Sequence, residues 1–294
     1  MLGAVPLPEP PGVGAAMLPA GTFADQVVMV TGGGTGLGRA MAVEFARLGA
    51  AVAVVSRDPA HRAAGEAAVA EVGGRSLGVG ADIRDAAAVA AAFDAVEERL
   101  GPVSVLVNNA AGNFAAPAER MSPGAWRAVT QIVLDGTFFC STEFARRRIA
   151  LGQPGAVLNI AATYAWTGGP GTAHSAAAKA GVVNLTQSLA VEWAPDGIRV
   201  NGLAPGVFPH GDQDAHWGEG REERSRARAA AIPGRRVGRL QELGWAATYL
   251  CSPYAAYISG HTLVIDGANW LRRFGLSMPE FVPVRDQIDA RPES

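Results

Sequence analysis

Residues 30–39 read VTGGGTGLGR, and this stretch is the strongest indication of the fold class. It follows a short apolar, β-branched run and precedes an alanine-rich helical pattern, which is typical of a turn between a strand and a helix. Glycines in such a turn let backbone N–H groups approach a pyrophosphate at the positive end of the helix. The turn therefore predicts a dinucleotide site with contacts from Gly32, Gly34, Thr35, Gly36, Leu37 and Gly38.

The alternation of apolar runs and helical patterns continues along the chain. It is typical of a parallel sheet covered by helices on both faces, and it predicts a doubly wound α/β domain, the Rossmann fold. No repeat or linker divides residues 22–268, so we expect a single domain there, with a mobile, charged substrate loop at 207–233. Residues 1–21 are predicted to be a flexible arm and 269–294 a C-terminal tail. The predicted strands are residues 27–30, 51–55, 76–79, 103–107, 156–160, 198–203 and 262–265.

Composition excludes several classes of function. At 294 residues with 49% hydrophobic and 18% charged content, the chain has material for one large core, and its net charge of −2 gives no basic field for nucleic acid. Cys140 and Cys251 lie far apart and the histidines lack metal-ligand spacing, so neither a disulfide framework nor zinc is expected. No secretory signal or apolar run of about 18 residues occurs. We predict a cytoplasmic protein with a small-molecule substrate, and no metal, nucleic-acid or membrane partner.

The end of the second predicted strand indicates which dinucleotide binds. It reads Val55, Ser56, Arg57, without the acidic residue that would bind the ribose 2′-hydroxyl of NAD. A hydroxyl and a guanidinium suit the 2′-phosphate of NADP instead. The sequence therefore predicts NADP(H) as the cofactor; the alternative for Arg57 is an ordinary solvated arginine.

Lys179 is the only lysine among 25 lysines and arginines. Arginine is planar and held protonated, whereas an ammonium is a compact charge with rotatable donors and a pKa that its surroundings can move. The retained lysine therefore indicates a position that needs an amine. The alternative is a coding bias with one accidental exception.

The glycine-rich turn, the segment NNAAG at 108–112 and Lys179 together resemble the short-chain dehydrogenase/reductase family. The resemblance covers nearly the whole chain and implies further cofactor contacts. For Asp82 the alternative to a cofactor contact is the N-cap of a helix, which fits about as well. The threonine that often follows Pro205 and Gly206 in this family is absent. The implied contacts are Asp82, Ile83, Asn109, Ala110, Ala111, Gly112, Lys179, Pro205, Gly206 and Val207.

Three of the four catalytic residues that are usual in that family are missing. The position four before Lys179, usually a tyrosine, is Ser175; the usual serine position is Ala162, and the usual helix asparagine position is Val133. Either the chain binds a nucleotide without chemistry, or its catalytic residues have moved. The retained lysine favours the second explanation.

The rearrangement resembles the 2,4-dienoyl-CoA reductases, a divergent branch of the family. The matching strings are MLP at 17–19, TGGGTGLG, NNAAGNF at 108–114, SPGAW with IVLDGT, TYAWTG at 163–168 and HSAAAKAG at 174–181. The resemblance implies a catalytic site made of Tyr164, Asn113, Ser175 and Lys179. Ser175 and Lys179 lie four residues apart, hence on one face of a helix. Structural alternatives are a rim tyrosine, a turn-forming asparagine and a packing serine.

The branch implies NADPH-dependent reduction of a 2,4-dienoyl-CoA thioester to a 3-enoyl thioester. Hydride would add at Cδ, and Tyr164 and Asn113 would donate hydrogen bonds to the thioester oxygen as it becomes negative. Two alternatives stay open: a carbonyl reductase for ketones or 3-oxoacyl thioesters with Tyr164 as the acid, and a catalytically silent NADP-binding protein.

Two further expectations concern partners. Family members usually form tetramers through two long helices, which here begin near Ser122 and Ala173, so a homotetramer is expected. Arg235, Arg236 and Arg239, with the arginine-rich stretch 221–228, could meet the phosphates of coenzyme A. The alternative for these arginines is a solvated charged loop.

Overall fold

The computed structural model describes residues 6–211, 221–271 and 284–289. The strands are β1 (Val27–Thr31), β2 (Ala51–Val55), β3 (Arg75–Val79), β4 (Val103–Asn108), β5 (Gly155–Ile160), β6 (Ile198–Pro205) and β7 (Thr262–Ile265). They form one sheet in the order β3-β2-β1-β4-β5-β6-β7, with every neighbouring pair parallel. Each predicted strand is present, with ends that differ by at most two residues. The predicted doubly wound parallel sheet is therefore confirmed.

Helices cover the sheet and fill the connections between its strands. They are α1 (Gly36–Arg47), α2 (Pro59–Ala70), α3 (Ala86–Leu100), α4 (Pro123–Thr130), α5 (Gly136–Ala150), α6 (Tyr164–Thr167), α7 (Ala173–Trp193), α8 (Arg221–Ala231), α9 (Leu240–Cys251) and α10 (Val284–Asp289). A π-helical turn at Gln131–Asp135 joins α4 to α5. Short 3-10 helices occur at Ala118–Arg120, Ala194–Asp196, Pro253–Ala255 and Asn269–Leu271.

Both faces of the sheet are buried, because the central strands are apolar on both sides. On one face Phe45 of α1 and Leu243 of α9 pack over the sheet. On the other face α3, α5 and α7 contribute Phe93, Phe144 and Trp193. Burial of each side chain of this size stabilises the fold by about 1.5–3 kcal/mol. These two layers fix the positions of the strand ends that carry the site.

The strand order places a switch point between β1 and β4. The chain runs outward from β1 to β3, and then crosses back to add β4 on the other side of β1. In open α/β sheets, ligands bind outside the carboxyl ends of the strands at such a point. The glycine-rich turn after β1 and the segment after β4 therefore face each other across a crevice.

The two helical stretches expected to be long begin where the sequence predicts. The first continues from α4 through the π-helical turn into α5. Ser122 caps α4, and its hydroxyl oxygen accepts a hydrogen bond from the N–H of Ala125 at 3.1 Å, with Pro123 at the first helical position. Helix α7 begins at Ala173 and runs for 21 residues. The π-helical turn between α4 and α5 is a feature that is frequent at functional sites.

The described part of the N-terminal segment is docked against the domain. The N–H of Leu7 donates to the carbonyl of Gly234 at 3.0 Å, Glu9 pairs with Arg239 at 2.8 Å, and Leu18 is buried. These contacts differ from those expected of a loose arm. Their physical cause is an opposite-charge pair and an apolar side chain that meet partners far away in the sequence.

The charged stretch and the C-terminal tail lie partly outside the described residues. Within the predicted substrate loop, 212–220 fall outside, while α8 makes the part from Arg221 to Ala231 helical. In the tail, Asp289 of α10 pairs with Arg120 at 2.9 Å. The tail's residues 272–283 and 290–294 are also outside the described ranges.

The described part of the chain shows neither a membrane-spanning helix, nor a metal-binding cluster, nor a reactive thiol. There, no helix combines the length and apolar character needed to cross a membrane, and no cluster of three or more His, Cys, Asp or Glu side chains could hold a metal ion. Cys140 and Cys251 are buried and unbonded, and burial raises the pKa of both thiols to about 12. Neither is suited to act as a thiolate nucleophile.

Candidate active site

Glycines shape the turn after β1. Gly32 and Gly36 have φ angles of +63° and +47°, in the left-handed region that favours glycine. A β-carbon at Gly38 would collide with the carbonyl of Gly32 and lie 2.5 Å from Nδ2 of Asn109. Thr35 precedes α1 without a side-chain cap bond, so its hydroxyl does not cover the helix N-terminus. This arrangement suits the binding of an anion at the positive end of α1.

Side-chain hydrogen bonds fasten the segment after β4 to this turn. The hydroxyl oxygen of Thr31 accepts from the N–H groups of Asn109 and Ala110 at 3.0 and 3.1 Å. The amide of Asn109 in turn donates to the carbonyl oxygens of Thr31 and Gly32 at 3.0 and 3.2 Å. Asn109 therefore holds the two sides of the crevice together.

A cleft of about 450 Å³ lies between these segments. It joins the glycine-rich turn to Ser56 and Arg57 after β2 and to the segment after β4, so the residues present fit a dinucleotide. Gly34, Gly38 and Gly112 do not line the cleft, and the first two act by close packing. The lining residues are Gly32, Thr35, Gly36, Leu37, Val55, Ser56, Arg57, His61, Ala81, Asp82, Ile83, Asn109, Ala110, Ala111, Ile132 and His210.

One end of the cleft is strongly charged. The Arg57 side chain is 59% exposed and lies 3.6 Å from Asp82. Hydrogen bonds donated by Arg84 lower the pKa of Asp82 to about 2, so this carboxylate is ionised at neutral pH. Asp82 is not the N-cap of α3, since Asp85 takes that place and accepts from the N–H of Ala87. That structural alternative for Asp82 is wrong.

A second guanidinium at this end was not predicted. Nη1 of Arg62, on α2, donates to the carbonyl oxygens of Ser56 and Arg57, both at 2.8 Å. These bonds fix the backbone that carries Arg57. The sequence signal was weak, because Arg62 lies on a helix five residues after Arg57 and resembles an ordinary surface arginine.

The reaction residues meet at the carboxyl end of β5. Tyr164 is the first residue of α6, and its hydroxyl oxygen lies 3.0 Å from the hydroxyl oxygen of Ser175 near the start of α7. Ser175 is buried, whereas Tyr164 is only partly so. The structure therefore brings these two predicted residues together, eleven positions apart in the chain.

Lys179 lies one helical turn below Ser175. Its side chain is buried, with only 7% of the residue exposed, and Nζ donates to the carbonyl oxygen of Ile160 at the end of β5. Burial lowers the pKa of Lys179 to about 8, because the charged form loses its hydration. The amine is thus held at the carboxyl end of β5, just before the segment that carries Tyr164.

Asn113 occupies the loop between β4 and α4. Its side chain is exposed and makes no hydrogen bond to any other described residue. The loop itself is held against the start of α7: the N–H of Ala116 donates to the carbonyl of Gly171 at 2.8 Å, and the ring of Phe114 lies edge-on to His174 at 4.5 Å. The loop that carries Asn113 is therefore held near the start of α7, while a contact between Asn113 and Tyr164 or Ser175 stays a prediction.

His174 was missed by sequence reasoning. It is fully buried, and its Nδ1 accepts the N–H of Ser175 at 2.7 Å. This bond fixes the orientation of the ring at the start of α7. Nε2 is buried without a partner among the described residues. The adjacent string HSAAAK contained this histidine, but nothing in its spacing distinguished it from a core residue.

Pro205, Gly206 and Val207 lie outside the cleft. A β-carbon at Gly206 would come within 2.5 Å of the Asp266 side chain, and the carbonyl of Val207 accepts from the N–H of Gly238 at 2.9 Å. This end of β6 is thus packed against the segment after β7. Cofactor contacts from these three residues stay a prediction.

Comparison with known proteins identifies the family of the chain. The family model described as Enoyl-(Acyl carrier protein) reductase matches residues 32–268. A relative from Bacillus subtilis (strain 168), named a probable 2,4-dienoyl-CoA reductase [(2E)-enoyl-CoA-producing], is 41% identical over 85% of this chain and 98% of its own length. The chain belongs to the short-chain dehydrogenase/reductase family. Within it, the chain falls in the 2,4-dienoyl-CoA reductase branch.

A further relative supports the branch, and a solved structure supports the family. The peroxisomal 2,4-dienoyl-CoA reductase [(3E)-enoyl-CoA-producing] of Rattus norvegicus is 38% identical over 84% of both chains. A crystal structure of a putative 2-deoxy-d-gluconate 3-dehydrogenase from Agrobacterium tumefaciens, with bound NADP, is 33% identical and has a TM-score of 0.75. The match covers 85% of this chain and 98% of that chain. Members of the family bind NAD(P), and the protein is an oxidoreductase.

The positions that the family usually uses for catalysis are filled differently here. Val133 lies in the π-helical turn and is buried against Ala178 and Val182 of α7, so no amide reaches the site from this position. Ala162 contributes no hydroxyl. The usual asparagine and serine groups are therefore missing from these two positions.

Three arginines considered for coenzyme A have partners inside the protein. Arg236 pairs with Glu242 at 2.8 Å, and Arg239 pairs with Glu9 at 2.8 Å. Arg235 donates to the carbonyl of Ala230 at 2.9 Å. These contacts differ from the solvated charged loop given as the alternative, because all three guanidinium groups bind neighbouring segments. A role in binding coenzyme A stays a prediction.

Proposed function

We propose that this protein is an NADPH-dependent 2,4-dienoyl-CoA reductase. The observation that carries the proposal is the 3.0 Å contact between the hydroxyls of Tyr164 and Ser175, one turn above buried Lys179. It gives the site a tyrosine from α6, although the usual tyrosine position on α7 is a serine. The names of the relatives from Bacillus subtilis and Rattus norvegicus point to the same substrate class.

NADPH is favoured over NADH by the charges at one end of the cleft. Exposed Arg57 extends from a backbone that Arg62 fixes, and β2 ends without a carboxylate. A guanidinium pairs well with the 2′-phosphate, which NADH lacks. When bound, NADPH supplies a hydride.

Tyr164 and Asn113 would stabilise the charge that develops on the substrate. Hydride addition at Cδ of the conjugated thioester moves negative charge to the thioester oxygen, giving a dienolate. Neutral O–H and N–H donors aimed at that oxygen strengthen as the charge grows, and each is worth on the order of 3 kcal/mol. The free amide of Asn113 and the partly exposed hydroxyl of Tyr164 are both available for this task.

Lys179 and Ser175 would prepare Tyr164 for this role. The Ser175 hydroxyl, fixed in the buried first turn of α7, holds the tyrosine hydroxyl in one orientation. The Lys179 ammonium would bind the ribose hydroxyls of the nicotinamide half of the cofactor and make the tyrosine a stronger donor through its positive charge. A buried ammonium acts more strongly than a solvated one because water screens it less.

The position of the product double bond depends on where the proton is delivered. Protonation of the dienolate at Cα gives a 3-enoyl thioester, and protonation at Cγ gives a 2-enoyl thioester. We infer protonation at Cα by water, since Cα is bonded to the carbonyl carbon whose oxygen Tyr164 and Asn113 would hold. The product is then the 3-enoyl-CoA.

The proposal is tested by mixing the protein and NADPH with 2,4-hexadienoyl-CoA or with a 3-oxoacyl-CoA and following loss of NADPH absorbance. Consumption with the dienoyl ester alone supports the proposal. Consumption with the 3-oxoacyl ester alone would establish the carbonyl reductase instead. Nucleotide binding without turnover of either ester would identify a catalytically silent relative.

We further propose that the protein is a cytoplasmic homotetramer. Helices α4, α5 and α7 expose large apolar side chains of the kind that interfaces bury, namely Trp126, Phe138, Ile149 and Val191. Light scattering after size exclusion would test this, and a monomeric mass would contradict it. The location remains open to test by fractionation, because the relative from Rattus norvegicus is named peroxisomal.

A further inference from the structure

His210 lies inside the dinucleotide cleft, although it belongs to the segment after β6. Its ring lies against Gly36, the first residue of α1: a β-carbon at Gly36 would be 2.7 Å from Cε1 and 2.9 Å from Nε2 of the imidazole. His210 also lines the cleft together with Gly32, Thr35 and Leu37. An imidazole thus covers the positive end of α1, where the glycine-rich turn favours an anion.

The path that brings His210 there is short. Strands β1 and β6 are separated by β4 and β5, so their ends lie about 14 Å apart at the usual strand spacing. The five chain steps from Pro205 to His210 can span at most about 17 Å. The segment is therefore long enough to cross the carboxyl edge of the sheet and place the imidazole against the turn.

We propose that His210 is a pyrophosphate-binding residue of the dinucleotide site. The inference rests on the proposed function, because it takes a dinucleotide as the ligand of the cleft. Neutral imidazole carries one N–H donor, and protonated imidazole carries two. A donor held over the N-terminus of α1 adds a side-chain hydrogen bond to a phosphate oxygen that the backbone N–H groups already favour. Hydrogen bonds to charged groups are the stronger class.

Binding of nucleotide fragments tests this role without turnover. Isothermal titration calorimetry would compare NADP⁺, 2′-phospho-ADP-ribose, which keeps the pyrophosphate but lacks nicotinamide, and 2′-AMP, which lacks the pyrophosphate. The variants are His210→Phe, which keeps a planar ring without a donor, and His210→Gln, which keeps a donor. His261→Phe is the matched control, because His261 is exposed and does not line the cleft.

We expect His210→Phe to weaken NADP⁺ and 2′-phospho-ADP-ribose about tenfold and to leave 2′-AMP unchanged. His210→Gln should retain most of the affinity, and His261→Phe should match the parent. Equal or tighter binding of the two pyrophosphate ligands by His210→Phe would overturn the inference. Equal weakening of 2′-AMP would also overturn it, since the effect would then not be at the pyrophosphate. A parent protein that binds none of the three ligands would instead overturn the proposed cofactor.

Discussion

The two sides of the crevice are constructed differently. Around β1 and β4 the surface is mainly backbone, shaped by glycines and tied by Thr31 and Asn109. Around β5 and α7 it consists of side chains, with Tyr164, Ser175 and Lys179 brought from two segments. The nucleotide side therefore depends on the space around its main chain, and the reaction side depends on particular functional groups.

This difference predicts which kind of substitution should impair each side of the crevice. In the glycine-rich turn of the nucleotide side, adding an atom should do harm, because the glycines leave no room. On the reaction side, removing an atom should do harm, because a single hydroxyl or amine carries the chemistry. The predictions below test this contrast.

Tyr164→Phe removes one oxygen from the reaction side and should have the largest effect. Because the lost O–H is a donor to the developing oxyanion, kcat with a dienoyl-CoA should fall by about 10²–10³. Calorimetry should show NADP⁺ affinity close to that of the parent. Tyr254→Phe is the control, since Tyr254 is exposed and remote from the site. Full activity of Tyr164→Phe would show that the tyrosine is a rim residue.

Gly38→Ala adds one carbon to the nucleotide side. The new β-carbon would collide with the carbonyl of Gly32 and the amide of Asn109, so stability should fall by about 1–3 kcal/mol. NADP⁺ affinity should fall with it, measured by calorimetry on protein that is still folded. Gly124→Ala is the control, because its nearest neighbour is 3.9 Å away. Equal behaviour of the two variants would contradict the close packing of the turn.

Arg57→Ala tests how the protein selects NADP⁺ over NAD⁺. Loss of the exposed guanidinium should weaken NADP⁺ about tenfold or more, because a charged partner of the 2′-phosphate is lost, and should leave NAD⁺ nearly unchanged. Arg75→Ala, at an exposed position on β3, provides the control for a general change in charge. If both nucleotides weaken equally, Arg57 does not select between them.

Lys179 should give the reaction side a pH dependence. Burial lowers its pKa to about 8, so the ammonium is lost as pH rises through that value. If the charged form is required, kcat/KM should be halved near pH 8 and fall about tenfold per unit at higher pH. Steady-state rates over a pH series would measure this, with Lys179→Arg as a charged variant. A profile that stays flat well above pH 8 would contradict a role for the ammonium.

The contrast also explains what could be predicted from the sequence. The glycine-rich turn was readable because positive φ angles at Gly32 and Gly36 are local demands on the chain. The convergence of Tyr164 with Ser175 was anticipated only through resemblance to known strings, since no local rule joins α6 to α7. His210 was not found, because its contact with Gly36 depends on the sheet order. The pairing of Glu9 with Arg239 escaped for the same reason: charge complementarity over such a sequence separation has no local pattern.

The most direct test of the proposed chemistry is the fate of the hydride. The protein would be incubated with deuterium-labelled NADPH, carrying the label at the transferable position, and 2,4-hexadienoyl-CoA, and the product examined by NMR. The proposed mechanism predicts deuterium at Cδ, a solvent-derived proton at Cα and a double bond between Cβ and Cγ. Deuterium at Cβ would contradict it, because hydride would then have added next to the α-carbon without forming the extended dienolate that Tyr164 and Asn113 are proposed to stabilise.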